Sequence, residues 1–224
     1  MKTNKNYKLS PSSLNLFEDC PKCFYFSIVK NIKRPSGIFP SLGSGMDRVL
    51  KEHFDRFMEK GELPPELREK KLAEGCYLFN DKEKLKTWRN YFKGIRYSDK
   101  ESGTVLMGAI DNLLVKDGKL IVLDYKTRGY PLKKDTHTYY QTQMDLYNLL
   151  LRKNNYQTED YAFLLFYYPN TINETGEFLF NTELVKLPTA PEKGEELFKN
   201  AIRILKSEKS LESIADCEFC KLRK

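Results

Sequence analysis

The sequence predicts a mixed α/β fold, a central sheet flanked by helices, and three observations carry that prediction. Two apolar runs flank Lys116-Asp117-Gly118-Lys119, a turn signal, so residues 105–127 read as a β-hairpin. Residues 161–168 are a continuous apolar-aromatic run, the pattern of a strand buried on both faces. Apolar residues recur at helical spacing over 42–60 and 138–151, and a last helix is expected over 192–206, after Pro188 to Pro191. Strand, strand, helix, strand, strand, with helices outside them, makes an α/β sandwich.

Taken in order, residues 1–8 are polar and read as frayed. Ser10-Pro11-Ser12-Ser13 is a helix start, followed by the apolar stripe Leu14, Phe17 and Phe24 and interrupted at Cys20-Pro21-Lys22-Cys23. Pro35-Ser36-Gly37 and Pro40-Ser41 mark a loop. The helix over 42–60 carries Met46, Val49, Leu50, Phe54 and Phe57, with Gly43 and Gly45 at its start and Gly61 as its stop. A short helical insertion follows at 63–67. A further helix is predicted over 82–94 from Leu85, Trp88, Tyr91 and Phe92; its lysines and Arg89 read as a solvated face, with a DNA-facing surface as the alternative. In the helix over 138–151, Gln143 and Tyr147 are four apart and share a face. Pro169-Asn170 is expected to end the buried strand, and 177–185 is a less apolar strand nearer an edge.

A chain of 224 residues, 40% hydrophobic, is long enough for one sizeable core. Its formal charge of +7 and pI near 9.0 favour a polyanionic partner. No 18-residue apolar run occurs, so no membrane span is expected. The N-terminus lacks the apolar segment of a signal peptide, and with five cysteines this predicts a reducing, cytoplasmic setting.

The chemistry concentrates in GAIDNLLVKDGKLIVLDYKT, which begins at Gly108. Side chains alternate along a strand, so Asp124 and Lys126 share a face and Tyr125 points away; a paired strand brings Asp111 to the same face. Asp124 follows the aliphatic run Leu120-Ile121-Val122-Leu123, and a charge emerging from a buried strand needs a partner or a metal. Two acids and an amine converging in this way suit metal-assisted phosphodiester hydrolysis. Cys20-x-x-Cys23 and Cys217-x-x-Cys220 can each chelate an ion or cluster, together making a four-thiolate site; Cys76 reads as a small packed residue. Positive charge gathers at 22–34, 128–134 and in Lys221-Leu222-Arg223-Lys224, with Tyr25, Tyr130, Tyr139 and Tyr140 interleaved as candidate base-stacking groups. No phosphate-cradling glycine loop is present, which argues against nucleotide-cofactor chemistry.

GAIDNLL, VLDYKT, the helical Gln143-x-x-x-Tyr147 and the opening LSPSSLNLFEDCPKCFYF together resemble the RecB-like branch of the PD-(D/E)XK nuclease superfamily. The resemblance runs from about residue 9 to 220, with 60–100 as an unassigned insertion. It implies a single domain over 1–224 with a restriction-endonuclease-like core, and cysteine-bearing terminal segments at 9–34 and 208–224. Asp111 and Asp124 would be metal ligands, joined by the Tyr125 carbonyl, and Lys126 the catalytic lysine. Gln143 and Tyr147 would contact the active site and the DNA backbone. Where the family often has Gly-x-x-x-His, this chain has Gly43-Ser44-Gly45-Met46-Asp47. Asp47 is therefore either a third oxygen ligand, shifting the preference from Mn²⁺ towards Mg²⁺, or an acid placed by the helix dipole. His53 reads as structural or surface.

CRISPR-adaptation exonucleases and AddB-like nucleases of this branch hold an iron–sulfur cluster with one N-terminal and three C-terminal cysteines. The two-and-two arrangement here implies [4Fe–4S] first and tetrahedral Zn²⁺ second. The expected function is an exonuclease acting on single-stranded DNA or DNA ends in recombination, repair or CRISPR adaptation, with protein partners in such a complex. The alternatives are a non-cleaving nucleic-acid-binding subunit and an RNA-processing nuclease.

Overall fold

The computed structural model describes residues 6–37, 41–207 and 217–221. Pro40, most of the predicted frayed N-terminus and the basic Leu222-Arg223-Lys224 lie outside these residues.

Strand β1 (Lys8–Leu9) pairs in parallel with a later strand, so Lys8, at the end of the segment expected to fray, is held in a sheet. Helix α1 (Pro11–Asp19) starts in a reciprocal cap: Ser13 N–H donates to Ser10 Oγ at 3.3 Å, and Ser10 N–H to Ser13 Oγ at 2.8 Å. Cys20 ends α1, and Pro21, which cannot continue a helix but readily begins one, opens α2 (Pro21–Val29). Helix α3 (Ser41–Lys60) ends at Gly61, whose φ of 68° suits a residue without Cβ. A short helix α4 (Pro65–Arg68) and strand β2 (Tyr77–Leu78) follow.

Helix α5 (Lys82–Trp88) is shorter than predicted. Asn90 Oδ1 accepts from the N–H groups of Phe92 and Lys93, turning the chain, and Gly94 then takes a φ of 56°. Strands β3 (Ile95–Ser98) and β4 (Val105–Gly108) come next. The predicted hairpin is also shorter at its start: β4 belongs to a separate sheet of order β1-β4-β3, and the hairpin proper is β5 (Asn112–Lys116) with β6 (Lys119–Thr127). Asp111 thus stands just before β5 rather than within a strand.

After a 3₁₀ turn over Thr136–Tyr140, α6 (Gln141–Lys153) leads to β7 (Tyr161–Ile172), β8 (Phe178–Pro188), α7 (Pro191–Lys206) and the four-residue α8 (Glu218–Lys221). The main sheet has the order β2-β5-β6-β7-β8, with β6 and β7 parallel and the other pairs antiparallel. Strand β8 lies at its edge, as expected. Pro169 does not end β7: β6 stops opposite Tyr167, so Pro169 meets only β8, and a bulge between Pro169 and Thr171 absorbs the missing donor.

Both faces of the sheet are covered. Leu120, Val122, Leu164 and Phe166 pack towards α1, α2, α6 and α7, while Ile121, Leu123, Tyr125, Phe163 and Leu165 pack towards α3, α4 and α5. This two-sided burial explains why β6 and β7 read as unbroken apolar runs. Gly108 sits where β4 meets α6; a Cβ there would lie 2.7 Å from the Tyr147 ring and 2.8 Å from Leu150. Gly108→Ala is expected to destabilise the protein by about 1–3 kcal/mol through overpacking, as read by urea denaturation.

Candidate active site and cysteine cluster

Alternation along β6 points Asp124 and Lys126 to the α6 side of the sheet and Tyr125 to the other. Tyr125 packs on Phe54, ring centroids 4.6 Å apart, and its hydroxyl accepts from Asn112 Nδ2 at 2.7 Å. The β5–β6 register pairs Asn112 with Leu123, and continuing it by one residue sets Asp111 across from Asp124. Asp124 is 1% exposed and forms an ion pair with Lys126. Lys126 Nζ also donates to Gln143 Oε1 at 3.1 Å and lies over the Tyr140 ring at 4.5 Å. Gln143 Nε2 in turn donates to the Tyr147 hydroxyl at 2.8 Å. Five of the expected residues, Asp111, Asp124, Lys126, Gln143 and Tyr147, therefore form one connected group at the junction of β6 and α6.

Asp47 reaches this group indirectly. Lys51 Nζ lies 2.7 Å from Asp47 Oδ2 and 2.9 Å from Asp111 Oδ1, bridging the two acids. The sequence reading did not single out Lys51; its signal was the i, i+4 spacing from Asp47 on α3. Arg89 was missed as well. Assigned to a solvated face, it is instead mostly buried, donating from Nε to the Asp111 carbonyl at 2.6 Å and gripping both oxygens of Asp55 at 2.8 Å. His53 pairs with Glu66 at 3.0 Å and packs on Phe54 and Phe57, a structural placement. Tyr140 lies beneath Lys126, Tyr25 packs against the core, and Tyr130 and Tyr139 are exposed.

Burial pushes the Asp124 carboxyl up to about 7; Lys126 opposes the shift and Asp111 adds to it. Burial also works against the Lys126 ammonium, but Asp124 outweighs it and holds Lys126 above its ordinary value. Asp124 Oδ2 is buried without a well-directed hydrogen bond, even though the ammonium is beside it. A buried carboxylate facing a second carboxylate, with Lys126 beside it, fits a divalent cation.

The raised Asp124 pKa also has a consequence for stability. The protonated form is favoured on folding, so its contribution is full below about pH 4 and is lost as pH rises to about 7. Asp124→Asn removes this titration but also the counter-charge of Lys126, so in EDTA the melting temperature of the variant is expected to change less between pH 4 and pH 7 than that of wild type.

A family model of the PD-(D/E)XK nuclease superfamily matches residues 8–224. The chain belongs to this superfamily. PD-(D/E)XK proteins are phosphodiester-cleaving nucleases and typically use a divalent metal. No curated protein matches the chain. Among the described residues, no helix of this PD-(D/E)XK protein is long and apolar enough to cross a membrane.

The four cysteines come together as their spacing predicted. Cys20 and Cys23, at the start of α2, face Cys217 and Cys220 around α8. Separations of 3.7 Å (Cys20–Cys220), 3.6 Å (Cys23–Cys217) and 3.5 Å (Cys23–Cys220) fall within a cluster whose sulfurs all lie within 4.8 Å of one another. None is in a disulfide. A tetrahedral ion with Zn–S bonds of about 2.3 Å spaces its sulfurs by about 3.8 Å, close to these values. A four-iron cluster must seat its irons and sulfides between the same four sulfurs and so needs them farther apart. Arg34 completes the group: it contacts Cys217 Sγ at 3.7 Å, pairs with Asp19 at 2.6 Å and lies over the Phe219 ring at 4.5 Å. Four thiolates around a divalent ion would carry a net negative charge, which this guanidinium would offset. Cys76 is buried apart from the cluster, as expected.

Proposed function

We propose that this protein is a divalent-metal-dependent deoxyribonuclease of the RecB-like branch, acting as an exonuclease on single-stranded DNA or DNA ends, with residues 1–224 as one nuclease unit. The observation that carries this reading is the buried Asp124–Lys126 pair beside Asp111, with Gln143 and Tyr147 behind it. Asp111 and Asp124 would hold Mg²⁺ or Mn²⁺ with the Tyr125 carbonyl, and Asp47 is a further acid linked to Asp111 through Lys51. When bound, the cation polarises the scissile phosphate and acidifies water. Lys126 orients the attacking water and offsets charge developing on the phosphate. Gln143 fixes the Lys126 ammonium through one hydrogen bond, and Tyr147 fixes Gln143. Arg89 holds the Asp111 backbone, and with it the acid's position.

For the cysteine site we propose structural Zn²⁺ in preference to the four-iron cluster, because the sulfur spacing suits a single tetrahedral ion. Its partners in a repair or CRISPR-adaptation complex would be other proteins.

End-labelled linear, circular and duplex DNA, and RNA, incubated with Mg²⁺, Mn²⁺ or EDTA, test the nuclease reading. The expected result is metal-dependent loss of linear single strands. Cutting of circles would overturn the exonuclease assignment, cutting of RNA alone would overturn the deoxyribonuclease assignment, and no cleavage at all would favour a non-cleaving binding subunit.

A further inference from the structure

We propose that Tyr91 and Phe92 are a stacking platform that guides an unpaired DNA strand into the active site; this rests on the nuclease reading above. The two side chains are 74% and 76% exposed. They sit edge to face, centroids 5.7 Å apart, at the mouth of a cleft of about 400 Å³. Gln143 and Tyr147 line the same cleft, so the platform and the hydrogen-bond chain to Lys126 share one space.

The exposure of these rings does not come from a loose loop. Asn90 Oδ1 accepts from Phe92 N–H at 2.9 Å and from Lys93 N–H at 3.0 Å. Arg96 donates from Nη2 to the Phe92 carbonyl and from Nε to the Lys93 carbonyl, both at 2.6 Å, and Lys8 Nζ reaches the Phe92 carbonyl at 3.5 Å. Gly94 packs against the Gly108 carbonyl, and Gly108 against the Tyr147 ring, so the turn is locked to the catalytic helix. Two large apolar rings held rigidly in water are a preorganised binding surface.

The charges select the occupant. Lys8, Lys93 and Arg96 are exposed around the rings, and among the described residues no carboxylate lines the cleft. This favours a polyanion with apolar faces. Bases in a duplex are already stacked on each other, whereas those of a single strand are free to stack on aromatic side chains.

The test is fluorescence anisotropy with labelled oligonucleotides in EDTA, where binding is read without cleavage. Wild type is expected to bind a single-stranded DNA oligonucleotide at least about fivefold more tightly than one of equal length made of abasic residues, and more tightly than a duplex. The Y91A/F92A double variant, checked for folding by its melting curve, is expected to lose that preference and bind both strands alike. Equal wild-type affinity for the based and abasic strands would overturn the proposal without any variant. So would a folded double variant that keeps the preference. A separate arm follows wild-type hydrolysis of bis(p-nitrophenyl) phosphate with Mn²⁺. That substrate has no bases, so its failure to react counts against the nuclease reading and leaves the stacking result to stand on its own.

Discussion

Lys126→Met is expected to slow metal-dependent DNA cleavage by about 10²–10³-fold while leaving the protein folded. Lys126 is the only side chain shown touching both the buried carboxylate and the Gln143–Tyr147 chain among the described residues. Removing its ammonium takes away the charge poised for the phosphate. It also leaves Asp124 buried beside Asp111 without its counter-charge, and the cost is limited because Asp124, whose pKa is already raised, takes up a proton. Single-turnover cleavage of a labelled strand, alongside a melting curve, separates the two effects. A folded Lys126→Met protein that cuts at the wild-type rate would remove Lys126 from the mechanism.

Cys23→Ser is expected to be strongly destabilising, lowering the melting temperature by roughly 10 °C or more and abolishing zinc content. Cys23 contacts both Cys217 and Cys220, so its loss undoes the four-thiolate geometry from the centre. The free energy of binding a structural ion is part of the folding free energy, and prolonged treatment of wild type with a strong chelator should reproduce the shift. Cys76→Ser, in a buried position away from the cluster, is expected to retain its metal. Metal analysis of the purified protein decides the ion: one zinc per chain without colour is expected, and iron with brown colour would restore the cluster implied by the RecB-like resemblance.

The main sheet was legible because its two central strands are covered on both faces, and an unbroken apolar run such as Phe163-Leu164-Leu165-Phe166 has few other readings. The Asp124–Lys126 geometry followed from strand alternation alone, and the Gln143–Tyr147 contact from helical spacing. Strands β1 and β2 have two residues each, too few for periodicity to register. Tyr91 and Phe92 extended the apolar pattern of α5 past its true end, because sequence spacing cannot distinguish a ring that packs from one that faces water. Lys51 and Arg89 were hidden for a related reason. Each is an ordinary basic residue on a helix or at its end, and only tertiary packing reveals that one bridges two acids and the other grips the Asp111 backbone.

The thiol cluster joins positions 194 to 200 residues apart. A ribosome adding about 5–20 residues per second therefore exposes Cys20 and Cys23 for roughly ten seconds or more before their partners exist. During that interval α1 and α2 have no metal clasp, and two reduced thiols are open to oxidation or to a stray ion. The proposed four-thiolate site is therefore complete only after Cys220 has emerged, so its loading is expected to follow, not precede, the first folding of the sheet.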